Sequence, residues 1–425
     1  MKLSISTLPY LKDTSALLSN LQTLGGLCAL ESATYSNKES QWSILTAQPY
    51  RIEEGYLDQS MQAKVEELLN TLPLTDHSDL PFLGGVIGHA TYGSNQTGSG
   101  VSRVTSSLYT WAYLINHESK VGYLVYWSDI SLTSLQCLIS LYSESTHPYS
   151  SFTLTESFKP LWSRETYKSK IDKIHQYIIS GDVYQINLTQ KFTAPYSGSS
   201  LNAYGKLKAQ SHSPFLTYFD LANTSIASAS PELFVKVAGN KVFTKPIKGT
   251  ASRSNNNKID QDNIEWLKKS QKDRAENLMI TDLLRNDLGI NCINIKVPKL
   301  FDIESFETVH HMVSTVTADK DNETSPFKIF SDAFPGGSIT GAPKKRAMEI
   351  IDELEIDSRG YYCGSTFYYS ANRNFSSNIL IRSFIFNEEE VECWAGGGIT
   401  IDSMWESEYQ ESLDKISRLM QALED

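Results

Sequence analysis

The sequence predicts an α+β fold in which helices cover antiparallel sheets. Several strand-like runs follow one another and are interrupted by helical patterns, without a regular strand–helix–strand alternation. A doubly wound α/β fold is therefore disfavoured. The 425 residues are 40% hydrophobic and 11% aromatic, which is enough to bury a large core in one big domain or in two fused ones.

Periodicity places the individual elements. Helical spacing predicts helices at residues 164–180, 262–288, 343–354 and 405–423. Apolar runs and alternation predict strands at 121–127, 232–245, 293–297, 361–370, 378–386 and 391–396. The last three strands have the spacing of a meander. The run 232–245 contains a hairpin, because Gly239 and Asn240 form a turn signal between its two halves.

Two polar stretches suggest how the chain is divided. Residues 143–156 are rich in serine and threonine, and we place a boundary there between an N-terminal region, 1–155, and a C-terminal region, 156–425, in which unusual polar residues crowd into apolar patterns. The string SRSNNNKIDQDN at 252–263 is of low complexity and predicts a mobile flap.

Charge and cysteine usage exclude several classes of protein. The formal net charge of −11 argues against non-specific nucleic-acid binding, and a small anionic substrate would need local cations. No run reaches transmembrane length, and the N-terminus lacks the features of a signal peptide. Five scattered cysteines without a CxxC spacing indicate a reducing compartment. We therefore expect a soluble cytoplasmic protein.

One lysine lies where it could act as a nucleophile. In TKPIKGT, residues 244–250, Lys248 follows the hairpin, Pro246 ends the strand ladder, and Gly249 allows a backbone bend. A lysine attacks carbon only as the neutral amine, so this role requires a lowered pKa. On the lysine alone, a solvated surface side chain is the more common case.

Acidic residues on two helices could hold a cation. Glu276 falls on the apolar stripe of the helix DRAENLMITDLLRNDLG, where it needs a metal ion or a basic partner. On the last helix, Glu408 and Glu411 precede Lys415, and Glu411 and Lys415 have the spacing of a surface salt bridge. Carboxylates from two helices would also suit Mg²⁺, and the sequence leaves both interpretations open.

The string PGGSITGAPKKR, residues 335–346, has glycines spaced as in a phosphate loop. Ala342 and Pro343 stand where a nucleotide-binding loop requires lysine and serine or threonine, so a nucleoside triphosphate site is disfavoured. The amides and hydroxyls of Ser338 and Thr340 could still bind an anion, and helix capping alone accounts for the pattern equally well.

Further polar residues interrupt apparent strands. His310 and His311 lie between ESFETV and MVSTV, and Arg382 lies in the apolar run NILIRSFIF. Such an arginine either pairs with a buried carboxylate or binds a ligand carboxylate. Glu232 follows Pro231 at a strand start, and the glycines of AGGGIT follow a strand, where they allow close approach of a ligand.

These motifs occur together in the order of a known family. The chain resembles the chorismate-binding enzymes, which include anthranilate synthase large subunits, aminodeoxychorismate synthase component I, isochorismate synthases and salicylate synthases. The resemblance runs from about residue 164 to 423 through GDVYQINLTQKF, SPELF, PIKGT, DRAENLMITDLLRNDLG, ESFETVHHMVST, FPGGSITGAPKKRAMEII, RGYYCGS, ILIRSF, AGGGIT and ESEYQE. It implies two antiparallel sheets packed as a sandwich, with helices on the outside.

The resemblance also assigns roles to single residues. It implies that Glu276 and Glu411 bind Mg²⁺, with Asp273 and Glu408 beside them, and that the metal holds the ring carboxylate of chorismate. The positions matched to the substrate pocket and its anion contacts are Ser338, Tyr362, Arg382, Gly396, Gly398 and Lys415. Water-adding members carry a lysine base where this chain has Gln185, so the isochorismate and salicylate synthase functions are disfavoured.

Lys248 selects among the remaining members. PIKGT with lysine is typical of aminodeoxychorismate synthase component I, whereas anthranilate synthases usually carry alanine there. The implied reaction joins chorismate and ammonia: Lys248 attacks the ring, Glu232 protonates the leaving 4-hydroxyl, and His311 is a polar partner. The alternatives are anthranilate synthase component I and a catalytically silent chorismate- or tryptophan-binding subunit.

Two partners follow from the same resemblance. The ammonia would come from a separate glutamine amidotransferase subunit, component II, because the chain shows no fused domain of that kind. The N-terminal LES at residues 30–32 resembles a motif that lines a tryptophan pocket in related enzymes, where it serves feedback control or fills space. The sequence does not decide between these two roles.

Overall fold

The computed structural model describes residues 1–33, 41–75, 79–93, 102–144 and 151–425. In these ranges the chain forms ten helices and 23 strands, numbered in chain order. The helices are α1 Ser15–Gln22, α2 Gln59–Asn70, α3 Leu135–Ser143, α4 Arg164–Ile179, α5 Ser200–Gln210, α6 Asn257–Lys269, α7 Gln271–Gly289, α8 Pro326–Ala333, α9 Lys344–Leu354 and α10 Trp405–Glu424.

The first sheet is antiparallel throughout and joins strands from both ends of the chain. Among the described residues it contains thirteen strands, which are β1 Leu3–Leu8, β2 Cys28–Glu31, β3 Trp42–Thr46, β7 Trp111–Asn116, β8 Val121–Trp127, β9 Thr153–Leu154, β10 Lys159–Pro160, β11 Gln185–Ser197, β12 Phe215–Leu221, β13 Thr224–Ser230, β19 Gly341–Ala342, β22 Ser383–Phe386 and β23 Glu390–Ile399. Its longest pairing is that of β11 with β23 near one end of the sheet, which runs from Pro195 opposite Glu390 to Ile186 opposite Ile399.

The second sheet is also antiparallel. In the same part of the chain it contains ten strands, which are β4 Arg51–Tyr56, β5 Gly85–Ala90, β6 Arg103–Tyr109, β14 Leu233–Ala238, β15 Lys241–Thr244, β16 Ile247–Ser252, β17 Cys292–Ser305, β18 Val309–Lys320, β20 Ser365–Ser370 and β21 Phe375–Ile379. The predicted hairpin is present as β14 and β15, with Ala238 opposite Lys241.

The two sheets pack face to face. Along β7 the side chains alternate: Leu114 belongs to the core that also contains Phe367 of the second sheet, and Tyr113 belongs to the core beneath Leu138 of α3. Helices α7 and α8 add Ile280 and Phe330 to the core between the sheets. This architecture confirms the predicted α+β sandwich with helices on its outside.

The predicted meander at residues 361–396 is wrong. Strands β20 and β21 pair in the second sheet, whereas β22 and β23 pair in the first, so the chain changes sheets at residues 380–382. It makes a similar change at residues 231–232, between β13 and β14. The two changes are neighbours, because Ser228 lies opposite Ser383 on one side and Leu233 lies opposite Asn378 on the other.

Other boundaries differ from the sequence prediction in detail. The helix expected at 262–288 is two helices that meet at Ser270, which caps α7 by accepting from the Asp273 amide. The stretch 252–263 is not a loop throughout, because α6 begins at Asn257 inside it. Within the predicted boundary at 143–156, residues 145–150 lie outside the described residues.

Two features of the structure concern membrane spans and cysteines. No helix in the described ranges combines the length and apolar character needed to cross a membrane. The five cysteines are unpaired thiols, and four of them are buried.

Candidate active site

Glu232 and Arg382 lie where the chain passes between the sheets. The backbone carbonyl of Glu232 accepts a hydrogen bond from the Ile379 amide at 3.2 Å, and that of Arg382 accepts one from the Ala229 amide at 3.0 Å. Arg382 has a φ of +53°, which is unusual for a residue with a side chain. Both residues therefore lie in the connections between the two sheets and not within a strand.

The Arg382 guanidinium reaches a cavity of about 180 Å³. Pro231, His311 and Lys415 also line this cavity. Burial lowers the pKa of Arg382, and within the described part of the chain no carboxylate lies at ion-pair distance from it. A half-buried guanidinium without a protein carboxylate is a binding group for an anion that comes from outside.

His311 is buried next to this guanidinium. Its Nδ1 lies 2.8 Å from the hydroxyl oxygen of Thr250 on the neighbouring strand β16. Burial and, after it, the charge of Arg382 lower the pKa of His311 to about 3. The imidazole is therefore neutral at physiological pH and contributes a hydrogen-bonding group instead of a charge.

Lys248 lies on the edge strand β16 at a local irregularity. The pairing of β16 with β18 shifts register between Ile247 and Thr250, which bulges the backbone at Lys248 and Gly249. Gly249 has a φ of +80°, and a Cβ atom there would lie 2.9 Å from the Cβ of Asp273 on α7. The glycine thus lets the strand approach α7 closely, which turns Lys248 inward.

The Lys248 ammonium is bound by α7 and by the loop PGGSITGAPKKR. We call these residues, 335–346, the glycine-rich loop. Its Nζ lies 2.9 Å from Glu276 Oε1 and donates to the Ser338 carbonyl oxygen at 3.3 Å. Gln185 Nε2 donates to the same Glu276 oxygen at 2.8 Å. Burial alone would lower the pKa of Lys248, but the charges of Glu276 and Glu232 outweigh it, and the pKa is raised. The lowered pKa that a nucleophile requires is therefore not the state seen here.

Glu232 is the second carboxylate beside this lysine. It is buried, and burial raises its pKa, while Lys248 and a hydrogen bond with the Ser338 side chain act in the opposite direction. A carboxyl group with a raised pKa retains its proton more readily, which suits a general acid.

Two further carboxylates come from α10. Glu411 Oε1 lies 2.8 Å from Lys415 Nζ, which confirms the predicted pair. Glu408 is buried, lies 3.1 Å from Lys272 Nζ of α7, and accepts from the Ser403 hydroxyl at 2.7 Å. In this region each of Glu276, Glu408 and Glu411 is thus matched by a lysine.

The end of β23 allows these carboxylates to converge. A Cβ atom on Gly397 would lie 3.4 Å from Glu408 Oε2 and 3.6 Å from Glu411 Oε1. A Cβ atom on Gly398 would lie 2.6 Å from Glu276 Oε1. The glycines therefore form a cradle for carboxylate oxygens, and oxygens of this kind are the ligands that Mg²⁺ prefers.

A profile of the chorismate binding enzymes matches residues 32–421. The chain belongs to the chorismate-binding enzymes. It is 39% identical over 362 residues to aminodeoxychorismate synthase component 1 of Escherichia coli strain K12, which covers 82% of this chain and 79% of that protein.

Other chorismate-binding enzymes match most of the chain. The aminodeoxychorismate synthase component 1 of Klebsiella aerogenes is 35% identical, with 98% of each chain covered. The anthranilate synthase component 1 of Lactococcus lactis is 31% identical and covers 92% of this chain and 93% of its own. A crystal structure of anthranilate synthase component I from Streptococcus pneumoniae superposes with a TM-score of 0.77 at 26% identity, covering 91% of this chain and 93% of that one.

The remaining residues of the family motifs have different surroundings in the structure. Tyr362 is buried and stacks on Trp394, with ring centroids 5.7 Å apart. Thr340 does not offer its hydroxyl to the site, because it donates to the Gly336 carbonyl at 3.1 Å inside the loop. At Gly396 a Cβ atom would lie 1.9 Å from the Leu188 carbonyl oxygen, so the strand pairing itself demands this glycine.

The motif compared with a tryptophan pocket lies apart from Lys248. Leu30 and Glu31 line a cavity of about 380 Å³ that is bordered by residues of both sheets. The Glu31 carboxylate is buried and lies 2.9 Å from Lys208 Nζ, and it accepts from Thr14 at 2.7 Å and from Tyr204 at 2.8 Å. Tryptophan binding there remains a prediction from the resemblance.

Sequence reasoning missed three charged residues near this site. Lys272 pairs with Glu408, Arg418 lines the cavity with Arg382, and Arg359 is fully buried beneath the glycine-rich loop. The first two could have been found by extending the helical stripes that carry Glu276 and Lys415, since Arg418 follows Lys415 by three residues. For Arg359 the signal was its place in RGYYCGS, next to Tyr362.

Proposed function

We propose that this chain converts chorismate and ammonia into 4-amino-4-deoxychorismate, a step of 4-aminobenzoate and folate synthesis. The single observation that carries the proposal is the half-buried Lys248, whose side chain is 14% exposed, bound to Glu276 at 2.9 Å and influenced by the nearby Glu232. A lysine between two carboxyl groups can act as a nucleophile, because the carboxyl groups can donate and accept the protons that the reaction moves.

The substrate has two carboxylates and the site has cations for them. Arg382 would bind the enolpyruvyl carboxylate, because it lines the cavity and has no carboxylate at ion-pair distance among the residues that the structure describes. Tyr362 would support the same group, and Lys415 also lines the cavity. The neutral His311 would accept a hydrogen bond from the ring substituents or donate one to them.

The reaction would proceed in two displacements. In the first, the neutral amine of Lys248 forms a bond to C2 of the ring, both ring double bonds shift by one position, and the 4-hydroxyl leaves as water with a proton from Glu232. In the second, ammonia forms a bond to C4, both double bonds shift back, the lysine amine leaves, and a proton of the new ammonium group returns to Glu232. One difficult displacement is thereby replaced by two easier ones, and the sum is chorismate plus ammonia giving product plus water.

The same carboxylates would hold Mg²⁺. Its ligands would be Glu276 and Glu411, with Glu408 and Asp273 beside them, since the glycines of β23 leave room for carboxylate oxygens to converge. When bound, the metal would neutralise and hold the ring carboxylate of chorismate. A Glu276 used as a ligand would no longer retain the Lys248 proton, and burial would then favour the neutral amine.

We further propose that a separate glutamine amidotransferase subunit supplies the ammonia. The relatives at 39% and 35% identity are named as component 1 of their synthases, which implies a second component. A free ammonium salt at high concentration would replace that subunit in a test of the chain alone.

Product analysis tests the proposal. Purified protein is incubated with chorismate, a magnesium salt and an ammonium salt, and the products are separated and weighed by mass spectrometry. We expect aminodeoxychorismate, with the enolpyruvyl group retained. Anthranilate with release of pyruvate would assign the chain to tryptophan synthesis instead, and unchanged chorismate under these conditions would contradict a synthase activity.

A further inference from the structure

A buried ion pair lies directly behind the proposed site. Arg359 is 1% exposed and Glu355 is 4% exposed. The guanidinium meets the carboxylate side by side, with Nε donating to Oε2 at 2.7 Å and Nη2 donating to Oε1 at 2.7 Å. Such a fork-to-fork pair fixes the orientation of both side chains.

The rest of the guanidinium is used by the backbone. Nη1 donates to the Ile339 carbonyl oxygen at 2.7 Å, and Nη2 donates to the Asn187 carbonyl oxygen at 2.6 Å. Ile339 belongs to the glycine-rich loop and Asn187 to the long strand β11. Only the planar fork of an arginine can reach these acceptors together with the carboxylate, because a lysine offers a single nitrogen.

Glu355 binds the same strand from the other side of the pair. Its Oε1 accepts from the Thr189 amide at 2.8 Å and from the Thr189 hydroxyl at 3.0 Å. The pair therefore ties together β11, the glycine-rich loop and the segment that follows α9. Burying two charges costs several kcal/mol, which makes such a pair a poor source of stability and a better device for fixing one arrangement.

Each connected segment carries a residue of the proposed site. Ser338 precedes Ile339, and its carbonyl accepts from Lys248. Gln185, at the start of β11, donates to Glu276. The Tyr362 amide donates to the Arg359 carbonyl oxygen at 2.9 Å. The pair touches no reacting atom, yet the three segments that carry Ser338, Gln185 and Tyr362 are fixed to it.

We propose that Glu355 and Arg359 are positioning residues that hold Ser338, Gln185 and Tyr362 in the arrangement that binds and turns over chorismate. This inference rests on the proposed function and adds to it. The pair acts through the backbone, so its loss displaces the site by fractions of an ångström without removing any group from it. Misplacement of that size has large effects on turnover.

The test compares Arg359→Lys with Arg346→Lys in the full chain. Arg346 lies on α9 and forms a half-exposed pair with Asp182 at 2.9 Å, so it controls for loss of an arginine near the same helix. We measure chorismate affinity by calorimetry, kcat and KM for aminodeoxychorismate formation, and the thermal midpoint. At temperatures well below the thermal midpoint of Arg359→Lys, we expect about a tenfold loss of kcat and about a tenfold rise in the Kd for chorismate. The control should match the wild type.

A milder variant separates positioning from folding. Thr189→Val removes one hydrogen bond to Glu355 and keeps the side-chain shape, so it should fold and show a smaller loss of kcat in the same direction. A lower thermal midpoint with unchanged kcat and Kd in both variants would overturn the inference, because the pair would then serve stability alone. If the wild type binds chorismate without forming aminodeoxychorismate, the proposed function fails, while the Kd values still decide the role of the pair.

Discussion

Lys248 and Glu276 neutralise each other across 2.9 Å. The lysine comes from the bulged edge strand β16 and the carboxylate from α7, and Gln185 of β11 donates to the same carboxylate oxygen. In the proposed reaction one partner is the nucleophile and the other a metal ligand. Each can perform its role only when the pair separates, so the ion pair represents a resting state of the site.

Glu276→Gln should weaken the response to magnesium. The amide keeps the shape and the hydrogen bond to Gln185 but loses the charge that would bind the metal. We expect the magnesium concentration for half-maximal activity to rise at least about tenfold. Glu265→Gln is the control, because Glu265 on α6 pairs with the exposed Lys268 and Lys269. Equal magnesium responses of the two variants would exclude Glu276 as a ligand.

Gly398→Ala should abolish most activity without unfolding the protein. Its Cβ would lie 2.2 Å from Gln185 Nε2 and 2.6 Å from Glu276 Oε1, so both side chains must move. We expect kcat/KM to fall by about 100-fold. Gly205→Ala on α5 is the matched control, since among the described residues no atom outside its own stretch of helix lies within 4 Å of its added Cβ, and it should stabilise the protein by about 0.5–1 kcal/mol. Activity of Gly398→Ala at the wild-type level would contradict the claim that the site needs the space left by this glycine.

Acid should destabilise the fold through buried histidines. Burial lowers the pKa of both His89 and His117 to about 4. Below the unfolded value of about 6.5 the unfolded chain binds protons that the folded chain cannot, so stability is full above that pH and falls as the pH drops toward about 4. The loss is on the order of 2 kcal/mol per histidine at about pH 5.

Thermal midpoints at about pH 7.5 and about pH 5 test this prediction. His89→Phe should show a smaller drop between the two conditions than the wild type, because phenylalanine fits among the rings of Phe219 and Tyr361 and cannot be protonated. Identical drops in the two proteins would mean that His89 does not contribute to acid sensitivity.

Arg418 should assist the approach of chorismate. The chain carries a formal net charge of −11, which repels a dianion, and Arg418 lines the cavity together with Arg382 and Lys415. We expect Arg418→Gln to lower kcat/KM by about threefold to tenfold at low ionic strength with little change in kcat.

Salt provides the internal control for this prediction. Added salt screens exposed charges, so the difference between Arg418→Gln and the wild type should shrink as the ionic strength rises. Arg285→Gln, an exposed arginine of α7 that pairs with Asp282, should behave as the wild type throughout. A loss that persists at high salt would point to direct contact with the substrate instead of long-range attraction.

Local patterns predicted only a minority of the regular elements, and no helix or strand was predicted before residue 121. The helices α4, α9 and α10 and the strand β8 lie within two residues of their predicted bounds, because their apolar residues follow an undisturbed period. The long strand β17 was predicted only in part, since its pairing with β18 shifts register three times and the alternation is lost. The change of sheets at Arg382 was missed because the surrounding residues form one continuous apolar run.

The site was predicted as a set of residues and not as an arrangement. The motifs named Lys248, Glu276 and Glu411, but the contact of Lys248 with Glu276 depends on the bulge at Gly249, which no local pattern shows. Glu355 and Arg359 have the same four-residue spacing as Glu411 and Lys415. One pair is buried and the other is exposed, and spacing alone cannot distinguish them.

The central claim is that the Lys248 amine forms a bond to the substrate ring. The most direct measurement is the intact mass of wild type and Lys248→Ala after rapid mixing with chorismate and Mg²⁺ without ammonia, followed by acid quenching. We predict an adduct of chorismate minus water on the peptide that contains Lys248, and we predict that the variant forms no such adduct. Aminodeoxychorismate formation by the variant should be lower by about 100-fold or more. Wild-type turnover in Lys248→Ala would contradict the account.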